Sequence, residues 1–184
     1  MKKLVYAINL TIDGCCDHTK GMASEAVHDF HTKLLRESDV LLYGRKTYEL
    51  MVPFWPDAAK SKPGPRSMND FAQAFTEVDK IVVFSRTLKK AESKNTTIVN
   101  GPLKEEILKL KQEPGNGNIL IGGVDLPSQL MGLGLIDEFH FVIHPTIVGE
   151  GRRIAEGMTL MLKPKLINTT TIPGGFVDLH YLNV

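Results

Sequence analysis

The chain has 184 residues, 42% hydrophobic and 23% charged, which supplies one sizeable core and excludes disorder as the main state. Its 22 Lys and Arg against 21 Asp and Glu leave a formal charge of +1, so there is no bulk electrostatic pull toward nucleic acid or an anionic membrane. The two cysteines, Cys15 and Cys16, are neighbours that cannot crosslink distant segments, and a reducing compartment is expected.

Apolar runs of strand length alternate with stretches of helical period, an α/β pattern. Residues 3–10 read as a first strand, ended by the turn former Asp13-Gly14. From Ser24 as N-cap, Val27, Phe30, Leu34 and Leu35 recur at the spacing of an amphipathic helix. Val40 to Tyr43 is apolar without alternation, as in a central strand buried on both faces, and Gly44 closes it. Thr47 to Met51 reads as a short helix broken by Pro53 and Pro56, and residues 57–67, with Pro63, Gly64 and Pro65, as a mobile loop. A helix is predicted over 67–76. Ile81 to Phe84 and Thr96 to Val99 read as two more doubly buried strands.

Pro102 fits the first position of a helix with Leu103, Ile107 and Leu110 on one face, stopped by Pro114-Gly115-Asn116-Gly117. Ile119 to Ile121 is a fourth buried strand, followed by Gly122-Gly123 and a helix from about Leu126 to Leu133. Glu138 to His144 alternates as a one-sided strand, and residues 165–172 and 176–183 read as antiparallel strands around Pro173-Gly174-Gly175. With no composition shift or repeat, a single domain over 1–184 and a mixed sheet are expected. The apolar stretch near Met1 is too short for a signal peptide and no long apolar run follows, so a soluble cytoplasmic protein is expected.

Three buried strands end in segments able to hold an anion. Gly44-Arg45-Lys46-Thr47 opens a helix, whose unpaired N–H groups and partial positive charge suit a phosphate; a solvated basic turn is the alternative. Ser85-Arg86-Thr87 offers a guanidinium between two hydroxyls, a phosphomonoester clamp unless Arg86 pairs with a surface carboxylate. Gly122-Gly123-Val124-Asp125-Leu126 lets a pyrophosphate approach the backbone at a helix start, or is a tight turn needing positive φ. Parallel strands of one sheet would bring all three to the same edge, where one dinucleotide touches each.

Asn9-Leu10-Thr11-Ile12-Asp13-Gly14, Leu42-Tyr43-Gly44-Arg45-Lys46-Thr47-Tyr48-Glu49, Val83-Phe84-Ser85-Arg86, Ile119-Leu120-Ile121-Gly122-Gly123 and Ile136-Asp137-Glu138-Phe139 occur in the order of the dihydrofolate reductase superfamily. The chain most resembles its stand-alone bacterial branch related to the reductase domain of the riboflavin-biosynthesis deaminase-reductase. His144 to Arg153 also resembles that branch's late strand and glycine-rich turn. The resemblance implies a dihydrofolate reductase-like three-layer α/β fold, a mainly parallel mixed sheet with antiparallel C-terminal strands and flanking helices. It further implies NADPH as cofactor. Gly44, Arg45, Lys46 and Thr47 would hold phosphate, Ser85, Arg86 and Thr87 the adenosine 2'-phosphate, and Gly122, Gly123, Val124, Asp125 and Leu126 the pyrophosphate. Ala7, Asp13 and Gly14 would lie near the nicotinamide. Homodimers are also implied.

Hydride transfer needs a positioned electrophilic carbon and a proton source. The resemblance places the proton route at a carboxylate on the first helix, and Glu25 and Asp29 are the candidates; both could instead favour the positive helix end. Cys15 stands where the riboflavin-type reductases commonly have Lys, and Ile121 where they have Glu, which argues for a substrate other than a ribityl-phosphate pyrimidine. Trp55 either stacks on a flat heterocycle or packs in the core. His28 with His31 and His140 with His144 match no tight metal signature, so no metal is expected. The reading is an NADPH-dependent reductase of a pterin-like or other small heterocycle. A non-catalytic NADPH-binding module and a reductase of a riboflavin-pathway pyrimidine are the alternatives.

Overall fold

A computed structural model describes all 184 residues. In chain order the strands are β1 (Leu4–Thr11), β2 (Ser38–Gly44), β3 (Lys80–Phe84), β4 (Thr96–Val99), β5 (Asn118–Ile121), β6 (Glu138–His144), β7 (Lys165–Ile172) and β8 (Phe176–Leu182). The helices are α1 (Glu25–Arg36), α2 (Arg45–Ser61), α3 (Arg66–Glu77), α4 (Leu103–Gln112) and α5 (Asp125–Gly132). One sheet holds all strands in the order β4-β3-β2-β5-β1-β6-β8-β7. The first six are mutually parallel; β8 is antiparallel to β6, and β7 is antiparallel to β8.

Both faces are covered, which explains the unbroken apolar runs of β2, β3 and β5. On one face Leu34 and Leu35 of α1, Tyr48 and Val52 of α2, and Phe71, Ala74 and Phe75 of α3 pack on Val5, Leu41, Tyr43 and Val83. On the other, Ile107 and Leu110 of α4 and Leu126 and Leu130 of α5 pack on Leu4, Tyr6, Leu42 and Ile121. Burial at this scale stabilises by roughly 1.5–3 kcal/mol per large aliphatic side chain. The Ser24 hydroxyl accepts from the Val27 N–H and starts α1 as expected.

Four expectations are corrected. The segment after β2 is not a five-residue helix stopped by proline, because α2 runs unbroken through Pro53 and Pro56 to Ser61. Each proline forgoes one hydrogen bond and crowds the carbonyl four residues back, at about 3 kcal/mol. The apolar positions Tyr48, Val52, Trp55 and Ala58 nevertheless keep helical spacing across them, and their burial outweighs that cost. The mobile loop expected over 57–67 therefore shrinks to residues 62–65 between α2 and α3. β4 is the sheet edge and only half-buried, not a doubly buried strand. β6 lies between β1 and β8, and its polar residues Glu138, His140 and His144 are among its buried ones, so it is not a one-sided strand. Neighbouring side chains satisfy most of that polarity.

Candidate active site

Register places the three anion segments together. Gly44 pairs with Phe84, Leu42 with Ile121, and Tyr6 with Ile121. The chain leaving β2, β3 and β5 therefore emerges along one carboxyl edge. Connections from β1 and β2 turn to the α1–α3 face, while β5, which lies between them, turns to the α4–α5 face. Such a divergence opens a crevice at the strand ends, where α/β sheets bind ligands.

Within the crevice the segments touch. A Cβ on Gly123 would overlap Thr47 Oγ1, and one on Gly44 would lie 3.7 Å from Leu126 Cβ. Gly123 has φ +90, which explains glycine there, and its carbonyl accepts from the Tyr6 hydroxyl at 2.9 Å. Neither α2 nor α5 has a side-chain N-cap, so the first-turn N–H groups of α2 and those of Asp125 and Leu126 in α5, whose third residue is Pro127, remain available. Arg45 is held by Glu49 at 3.0 Å, one turn along α2. Lys46 is exposed and close enough to Asp125 to help lower its pKa.

At the β3 end the Ser85 hydroxyl accepts from the N–H groups of Thr87 and Leu88 at 3.2 and 2.9 Å, which shapes a turn. That turn presents Arg86 exposed and with no carboxylate partner. Asp125 is instead ion-paired to Arg152, from the turn after β6. The Arg152 hydrogen bond is the main cause of the depressed Asp125 pKa. Sequence reasoning quoted Arg152 within a family motif but gave it no role; only tertiary contact brings it to α5.

Asp13 acts as a staple. Its carboxylate accepts from Thr11 Oγ1 at 2.6 Å, Gly149 N–H at 2.7 Å and Val148 N–H at 3.3 Å. These bonds, Thr11's first, hold its pKa at about 2. Gly14 turns with φ +82 beside it. The side chain of Asp13 thus fastens the β1 exit to the turn after β6, and Ala7 lies half-buried upstream on β1.

The two candidate acids of α1 both meet the start of α3. Ser67 donates to Glu25 Oε2 at 3.3 Å, and Arg66 pairs with Asp29 at 3.1 Å. Trp55 is half-buried among aromatic neighbours, 4.5 Å between ring centroids from Phe71 and 4.9 Å from Phe54, and its indole N–H faces Met51 Sδ at 3.3 Å. It joins α2 to α3. Sequence reasoning gave no role to Asn9, two residues beyond Ala7, whose Oδ1 lies 2.9 Å from His31 Nε2. A polar residue inside the apolar β1 run was the available signal.

Glu138, His140 and His180 bring potential ligand atoms within 4.8 Å of one another. They are already engaged: Glu138 with Lys3 at 2.6 Å and His180 at 3.2 Å, and His140 with Asp178 at 3.0 Å, while the two imidazoles stack at 4.2 Å. Burial opposes ionisation of Glu138, but the Lys3 and His180 bonds hold its pKa below the ordinary value. This is a charge network within the sheet. No helix is long and apolar enough to cross a membrane.

Comparison with known proteins agrees with this architecture. The chain is 29% identical over 183 residues to the Bacillus subtilis (strain 168) protein YyaP, covering 98% of this chain and 94% of that one. A putative riboflavin biosynthesis protein from Shewanella sp. PV-4 superposes with a TM-score of 0.75 at 18% identity, covering 99% of each chain. The Thermotoga maritima diaminohydroxyphosphoribosylaminopyrimidine deaminase/5-amino-6-(5-phosphoribosylamino)uracil reductase superposes with a TM-score of 0.68 at 14% identity over all of this chain and 57% of its own. Those likenesses establish the dihydrofolate reductase-like fold. The RibD C-terminal domain model matches residues 2–177, and the chain therefore belongs to the RibD C-terminal domain family.

Proposed function

We propose that the chain is a cytoplasmic NADPH-dependent reductase that transfers hydride to a small heterocycle of pterin-like type. The observation that carries this reading is the convergence of two uncapped helix starts and one unpaired arginine on a single sheet edge. The residues present fit the cofactor. Gly44 to Thr47 and Gly122 to Leu126 present backbone donors to the pyrophosphate, and Arg86, with Ser85 and Thr87, binds the 2'-phosphate. When bound, NADPH supplies the hydride. Ala7 lies at the inner end of the crevice, on the strand that would flank the nicotinamide.

Proton delivery falls to α1. Glu25 uses one carboxylate oxygen to accept from Ser67 and keeps the other free, whereas Asp29 is neutralised by Arg66. Glu25 is therefore the better candidate, and Glu25→Gln should lower turnover while leaving NADPH affinity unchanged.

Family membership favours a second substrate, a riboflavin-pathway pyrimidine. Against it, Cys15 is only 2% exposed and Ile121 is fully buried, so neither position supplies the polar group of the riboflavin-type pattern.

Titration with NADPH and NADH, followed by nicotinamide fluorescence, tests the cofactor. Saturable binding that prefers NADPH, with the preference lost in Arg86→Ala, supports the reading. No binding contradicts it, and binding without turnover of any pterin or pyrimidine would favour a non-catalytic nucleotide-binding module.

A further inference from the structure

Asn9 is the one exposed residue in β1, a strand otherwise buried or half-buried. Alternation puts it on the face of Val5 and Ala7, toward α1, α2 and α3. On one side β5 accompanies β1 only as far as Tyr6, while on the other β6 follows it to Thr11. Past Tyr6 the β5 side of β1 is therefore open. Asn9 lies along that notch, two residues beyond Ala7.

Its orientation is set by α1. His31 Nε2 approaches Asn9 Oδ1 at 2.9 Å, and because an amide oxygen only accepts, the imidazole donates through Nε2–H. His31 itself is half-buried. Burial, and then His28, His144 and His140, push its pKa down to about 4, so the neutral donor persists at physiological pH. The Asn9 amide nitrogen makes no hydrogen bond within the protein, and both its N–H groups are left for a ligand. A carboxylate in this place would seek the N–H groups of an aminopyrimidine edge. A fixed amide donor seeks the opposite.

We propose that Asn9 is a substrate-binding residue whose amide N–H donates to a ring carbonyl oxygen of the heterocycle, and that His31 is the positioning residue that fixes the amide. The assignment rests on the reductase reading and adds its specificity: ring carbonyls are preferred to ring amino groups.

The test uses the full-length, 15N-labelled protein saturated with NADP+ and titrated separately with 2,4-dioxopteridine and 2,4-diaminopteridine. The Asn9 side-chain amide resonances should move with the dioxo compound and stay in place with the diamino compound. Asn9→Ala should weaken dioxopteridine binding about tenfold, the worth of one buried hydrogen bond, with NADP+ affinity unchanged. His31→Phe should weaken it similarly, while His31→Gln, which keeps a donor for Oδ1, should restore it. Absence of dioxopteridine binding, equal responses to both compounds, or a His31→Phe protein that binds like wild type would overturn the assignment. If NADP+ and NADPH fail to bind, the reductase reading fails, and the same titrations without cofactor still decide the role of Asn9.

Discussion

Gly123 packs against Thr47 with no room for a Cβ, and this contact joins the turn after β5 to the first turn of α2. Gly123→Ala meets two obstacles, the Thr47 hydroxyl and a φ of +90. Together they should cost roughly 1–3 kcal/mol in urea unfolding. Adding Thr47→Ala should recover the steric part and leave the backbone part. A Gly123→Ala protein as stable as wild type would contradict the contact.

Asp125 and Arg152 form a compensated pair at the start of α5, where the proposed cofactor would have its pyrophosphate. Arg152→Ala leaves the Asp125 carboxylate facing the anion, so NADPH and NADH should both weaken, by about tenfold or more. Arg86→Ala should instead weaken NADPH alone. Asp125→Asn in the Arg152→Ala background should restore much of the lost affinity, read as a double-mutant cycle in cofactor titrations.

Asp13 makes stability depend on acid. Its folded pKa, about 2, lies below the ordinary 3.8, so the stabilisation is complete above 3.8 and is lost as pH falls from there to 2. Asp13→Asn should be less stable than wild type at pH 7 and converge with it near pH 2 in thermal melts. A constant difference across that range would contradict the staple.

His31 acts in a higher window. Its folded pKa of about 4 lies below the ordinary 6.5, so the unfolded chain binds more protons between these values and stability falls as pH drops through them. Burial depresses His28 and His144 in the same direction. His31→Gln should flatten the decline between pH 6.5 and 4, measured by urea midpoints.

At the far end of the sheet, β7 leaves Lys165 to Thr171 exposed, with Leu166 at 49% and Ile167 at 45%. An open edge strand with apolar side chains favours pairing with a second copy. Sedimentation should give a homodimer, and Ile167→Lys should shift it toward monomer; a wild-type monomer at all concentrations would contradict this.

Most of the sheet was legible because doubly covered strands write themselves as apolar runs, as Val40 to Tyr43 and Ile119 to Ile121 do. The course of α2 was not, because Pro53 and Pro56 are strong local stop signals and the burial that overrides them is tertiary. For the same reason β4 looked central: Thr96 to Val99 has strand character, but nothing local says that no further strand pairs beyond it. The three segments that the sheet brings to one edge were legible as short polar stretches after strands. What each side chain does there was not, since Asp125 meets Arg152, and Asn9 meets His31, across more than twenty residues of chain.

The most direct test is a crystal structure with NADPH bound. The expected result is the pyrophosphate against the backbone of Gly122 to Leu126 and the start of α2, the 2'-phosphate on Arg86, and the nicotinamide beside Ala7. A dinucleotide bound elsewhere, or one that leaves Arg86 free in solvent, would contradict the account.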